Sequence, residues 1–74
     1  MKIWTQDANQ LIELQLASVV PYGQNEAAIF IASQHGKGGV FAGVYKDSSR
    51  ARGVLYDIVT ACKNNEPVFC MPQK

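Results

Sequence analysis

Histidine and cysteine are scarce in this 74-residue chain: one histidine, His35, and two cysteines, Cys62 and Cys70. Their separations match no zinc-site spacing, so no metal is expected. Charge of one sign is lacking too. Seven Lys and Arg stand against six Asp and Glu, a net +1, which gives no general attraction to nucleic acid or to an acidic membrane. No run approaches the roughly 20 apolar residues of a membrane-spanning helix. The opening MKIWTQDANQ lacks the apolar run of a signal peptide. A cytoplasmic chain with reduced thiols is therefore expected. There are no repeats, linkers or low-complexity segments, and no specific catalytic motif. A domain this small rarely preorganises a catalytic site with its supporting shell. Neither an enzyme nor a cofactor is expected.

What is there suffices for one small domain, residues 1–74. The apolar fraction is 47%, enough to fold. A chain this short buries only about 60% of the surface its unfolded form exposes. Its own core is marginal, and a homo-oligomer is expected.

The one long helical pattern follows Asp47. Asp47, Ser48 and Ser49 are N-cap types, whose oxygens satisfy free N–H groups of a first turn. Ala51, Val54, Leu55, Ile58, Val59 and Cys62 recur at spacings of three and four, an apolar helix face. Asn64–Asn65 can close the helix and Pro67 prevents its continuation. Gly53 interrupts the pattern at a cost of about 1 kcal/mol relative to Ala, and has either a packing reason or none that the sequence shows.

Before the helix the chain reads as short strands. Met1–Gln6 alternates, Asp7–Gln10 turns, and Leu11–Leu16 reads as a second strand that Ala17–Tyr22 continues through a bulge, with Pro21 suiting an edge or a strand end. Ala27–Ser33, apolar on both parities, is the central strand. Gln34–Gly39 is a Gly-rich hairpin loop and Val40–Tyr45 the return strand, with Gly43 hinting at a bulge. Val68–Met71 is a short last strand. The predicted class is α+β: a small antiparallel β-meander packed by one amphipathic helix, with a short C-terminal strand.

The candidate site is the helix start. Arg50 and Arg52 lie in the first turn, where the macrodipole disfavours cations. Two guanidinium groups, free N–H groups and the Ser48 and Ser49 hydroxyls suit a phosphate or carboxylate. The plain alternative is that Arg50 pairs with Asp47 and Arg52 is solvated. Lys37, in the loop His35-Gly36-Lys37-Gly38-Gly39, could also touch a phosphate, although a tight turn accounts for these glycines. Phe30 and Phe69 are expected in the core. Trp4 and Tyr56 lie at boundaries that suit a subunit contact or a stacking platform.

The segments KIWTQDANQLIEL, GVYKDSSRARGVLYDIVTA and EPVFCMPQ resemble a set of small bacterial, phage and prophage proteins. In these, I-x-x-Q-D…L-I-x-L precedes G-x-Y-x-(S/T)-x-x-R-A-x-x-V-L-x-x-I and a closing aromatic-x-Met-Pro. Gly53 and the Gly-rich hairpin depart from that pattern. The resemblance implies a compact β-rich fold with one helix and supplies no catalytic residue. A phage setting raises stoichiometric binding, including anti-defence proteins that sequester nucleotide-derived signals. The expected function is capture of a small phosphorylated ligand. Arg50 and Arg52 would hold phosphate, Ser48 and Ser49 would assist, and Tyr45 or Trp4 would stack on a base. The alternative is a module that inhibits a host protein by docking on it.

Overall fold

At the start of the chain Ile3 and Thr5 are buried while Lys2 and Trp4 face outward, the period-two alternation of a half-buried strand. The computed structural model describes residues 1–32 and 38–74 and forms strand β1 there, Lys2–Trp4. His35, Gly36 and Lys37, and with them the expected phosphate contact of Lys37, lie outside the described residues. After β1 the chain turns on Asp7, whose Oδ1 accepts from Thr5 Oγ1 at 2.7 Å and from the Asn9 N–H at 3.1 Å. Strand β2, Leu11–Glu13, returns antiparallel beside β1.

Strands β3, Ala17–Tyr22, β4, Glu26–Ala32, and β5, Gly39–Tyr45, form an antiparallel sheet in the order β3-β4-β5. The expected meander is thus divided. β2 and β3 are not one bulged strand: β2 belongs to a separate sheet, in the order β2-β1-β6. There β6, Val68–Cys70, lies parallel to β1. The α+β class stands, built from two three-stranded sheets and one helix. Pro21 sits in edge strand β3, where its missing N–H is tolerated. The register of β4 against β5 shifts between Ile29 and Phe30, so that Ile29 faces Gly43 and Phe30 faces Phe41. Ala42 is the additional residue of a bulge.

Helix α1 spans Ser48–Lys63. Asp47 is its N-cap, accepting from the Arg50 N–H at 2.8 Å. At the other end Asn65 takes the left-handed conformation, φ 57°. The Glu66 N–H reaches Ala61 O at 3.0 Å and the Asn65 N–H reaches Cys62 O at 3.1 Å, the paired bonds of a Schellman motif. The buried face is Ala51, Val54, Ile58 and Ala61, with Leu55 half-buried. Val59 and Cys62, expected on that face, are exposed. The core needs a stripe narrower than the full apolar pattern, and Ala61 fits it where Cys62 does not.

The helix packs on one face of β3-β4-β5, and β1 with Met71 closes one side. Ile3, Ile29, Ile31, Tyr45, Val54 and Ile58 form the centre of this core. Phe69 packs against it, whereas Phe30, expected inside, is half-buried on the opposite face of the sheet.

Candidate functional site

Tyr45 ends β5, and the chain turns into α1 only two residues later. A buried phenol therefore sits beside the first helical turn. Gly43, on the same face of β5, leaves room for it: a Cβ there would stand 2.7 Å from Tyr45 Oη, closer than carbon and oxygen pack. Tyr45 is 2% exposed, and its hydroxyl donates to Pro72 O at 2.9 Å. Burial pushes its pKa up to about 12, against the opposing charge of Arg50. At neutral pH the phenol is a donor.

Arg50 lies over this ring, its guanidinium carbon 5.8 Å from the centroid, within cation–π range. Nε and Nη2 both donate to Lys74 O, at 3.0 and 2.7 Å. The Asp47 carboxylate caps the Arg50 main-chain N–H instead of pairing with its side chain. Neither sequence alternative for Arg50 describes this: the guanidinium grips the main chain of the C-terminal segment.

Gln6 completes the grip from β1's side. Its Oε1 accepts from the Val44 N–H at 2.8 Å. Its Nε2 faces Val44 O, Pro72 O and Gln73 O at 3.1, 3.2 and 2.9 Å. Two hydrogens serve three carbonyls, so one is shared. The Gln73 amide donates back to Gln6 O at 2.8 Å, and the Met71 N–H donates to Trp4 O at 3.0 Å. The Gln6 side chain thus pairs with the edge of β5 as a neighbouring strand would, tying the two sheets together. Gln6, Tyr45, Arg50, Met71 and Pro72, from three segments far apart in the chain, meet in this clasp.

Above the clasp is a cleft of about 500 Å³ walled by Val44, Tyr45, Lys46, Arg50, Lys74 and Glu26. Three cationic side chains face one carboxylate side chain. Among the described residues, no Asp or Glu side chain stands within ion-pair distance of Lys46, Arg50 or Lys74. A larger groove of about 660 Å³ lies between the helix end and β6. Its cations, the Met1 ammonium and Lys2, are both neutralised by Glu13, at 3.6 and 3.1 Å. The Lys2 ammonium holds the Glu13 carboxyl below its ordinary pKa.

Of the residues singled out in the sequence, Tyr45 and Arg50 line the basic cleft. Ser48 borders a neighbouring cleft with Asp47 and Pro21, and Ser49 is exposed in the first turn. Arg52 is exposed and, two positions from Arg50, lies about 200° around the helix from it. The arginines therefore do not converge. Trp4 lies on the outer face of β2-β1-β6, 36% exposed, away from the cleft. Lys46, Glu26 and Lys74 are the charged cleft residues that sequence reasoning missed. Nothing in their local pattern marked them, because the C-terminal segment reaches the helix start only through the clasp. Compared with known proteins, the chain matches no protein-family model, no curated protein sequence and no solved structure.

Proposed function

We propose that this chain is a non-enzymatic binding protein that captures a small phosphorylated ligand in the cleft at Tyr45, Lys46, Arg50 and Lys74. The observation that carries the reading is the gathering of three cationic side chains there against one carboxylate side chain, Glu26. The clasp leaves Nη1 of Arg50 uncommitted, so the guanidinium can hold Lys74 and a ligand oxygen together. Asp47 already takes an N–H of the first helical turn, so the side-chain cations bear the recognition rather than the helix end. A cleft of about 500 Å³ lies within the size range of small-ligand sites. The resemblance to small phage and prophage proteins supports a nucleotide-derived signal as the ligand, captured as an anti-defence sponge does. Isothermal titration with cyclic nucleotides and ADP-ribose tests this. Lys46→Ala is the informative variant, since Lys46 takes no part in the clasp. It should weaken binding about tenfold, the worth of one charge-assisted hydrogen bond. Absence of heat with every one of these ligands rejects the reading.

A second reading, docking on a host protein, is favoured by the exposed side chains of Trp4 and Leu11, which stand opposite each other on β1 and β2. It calls for one stoichiometric partner in a pull-down, lost with Trp4→Ala and free of nucleotide.

A further inference from the structure

Among the described residues, small side chains fill much of the interior while large ones face water. Five of the twelve buried hydrophobic residues are alanines, yet Leu16, Phe41 and Tyr22 are 73, 52 and 41% exposed. These three share a surface. The β3–β4 register pairs Ser18 with Phe30, Val20 with Ala28 and Tyr22 with Glu26. The Ala32 N–H donates to Leu16 O at 2.9 Å, which carries the same ladder to Leu16 opposite Ala32. On the other side β4 sets Phe30 against Phe41 and Ala28 against Val44. Paired residues point to one side of a sheet. The face away from the helix therefore carries Leu16, Val20, Tyr22, Phe30, Phe41 and Val44. Phe41 holds the two other rings edge-on, with centroids 5.4 Å from Tyr22 and 5.3 Å from Phe30.

We propose that a second copy of this chain docks on that face, giving a symmetric dimer of two β3-β4-β5 sheets stacked at about 10 Å. Charge selects this occupant. Among the described residues, the face along the ladder holds only Ser18 as a polar side chain, with Glu26 and Lys46 at the margin where it meets the cleft. A surface whose centre carries neither sign complements itself, whereas a charged partner would lose hydration there without gaining a pair. The outer face of β2-β1-β6 differs in carrying the Lys2–Glu13 ion pair. Area sets the strength. Tyr22 and Phe41, each of an aromatic's 150–250 Å², expose about 200 Å² between them. With Leu16 and the half-buried residues, each copy offers about 400 Å². The total of about 800 Å² falls just short of the roughly 1,000 Å² at which stable interfaces begin. The dimer is therefore a weak one that forms as concentration rises.

The test is sedimentation equilibrium of the full chain from micromolar to millimolar concentration. The mean mass should rise from 8.1 kDa toward twice that value. Phe41→Glu should raise the dissociation constant roughly a thousandfold, because a two-fold interface carries each substitution twice. Leu16→Lys should act in the same direction, and Trp4→Glu on the other sheet should leave the mass curve unchanged. Circular dichroism checks that each variant folds, as substitution at exposed positions permits. A wild-type chain that stays at 8.1 kDa throughout, or a dimer dissociated by Trp4→Glu and not by Phe41→Glu, overturns the proposal. Neither result depends on the ligand reading.

Discussion

Tyr45 shows how much one side chain can carry. Its ring is part of the core, its hydroxyl holds Pro72, and its face receives Arg50. The raised pKa has a signed consequence. Below pH 10 the phenol is protonated in both folded and unfolded chains, so its contribution is fully present. Between the ordinary value of 10.0 and about 12 the unfolded chain ionises first, and stability is lost as pH rises. The loss is on the order of 2 kcal/mol by the upper end of that window. Urea denaturation at neutral pH and at successive alkaline steps should show wild type losing this increment and Tyr45→Phe lacking it. At neutral pH Tyr45→Phe should cost only about 1 kcal/mol, because Pro72 O keeps the Gln6 amide as a donor. A Tyr45→Phe variant with the same alkaline slope as wild type would show that this phenol is not the titrating group.

At the scale of the element, helix α1 is well capped and imperfectly filled. Asp47 and the Asn65–Glu66 closure satisfy its ends. Gly53 faces open space: a Cβ built there finds nothing within 4 Å. The helix gains nothing in packing for the backbone freedom it must freeze. Gly53→Ala should therefore stabilise the fold by about 0.8 kcal/mol, read as a higher denaturation midpoint with an unchanged slope. Asp47→Ala should cost about 1 kcal/mol. Strand β5 is built the opposite way. Its bulge and Gly43 make room for a neighbour, so an added side chain at Gly43 strikes Tyr45.

Across the whole molecule, the clasp joins the ends of the chain. Gln6 links β1 to β5 and to the segment after β6. Gln6→Glu keeps the shape and replaces the donor with an acceptor against three carbonyls. It should cost about 2 kcal/mol through half-buried unpaired acceptors and repulsion. Hydrogen exchange locates the damage: the Val44 and Met71 amides should both exchange faster in the variant, as one unit. If only Val44 speeds up, the C-terminal segment is held independently of Gln6. The same clasp brings Lys74 beside Lys46 and Arg50, so loosening it should also weaken any anion held in the cleft.

The helix, its caps, the strand segments and the bulge near Gly43 were legible in the sequence. Each depends on neighbours a few residues apart, through periodicity, turn chemistry and backbone sterics. Gly53 stood out in the local pattern, but that it packs against nothing was decided by the tertiary structure. What only the tertiary structure decided was the division into two sheets, the outward side of Phe30, and the destination of the Arg50 guanidinium. Those outcomes are set by pairings between residues far apart in the chain, such as Gln6 with Gln73 and Lys2 with Val68. A strand's alternation marks which residues share a face, but not which strand will pair beside it or what will cover that face. Those choices arise only when the whole chain closes on itself.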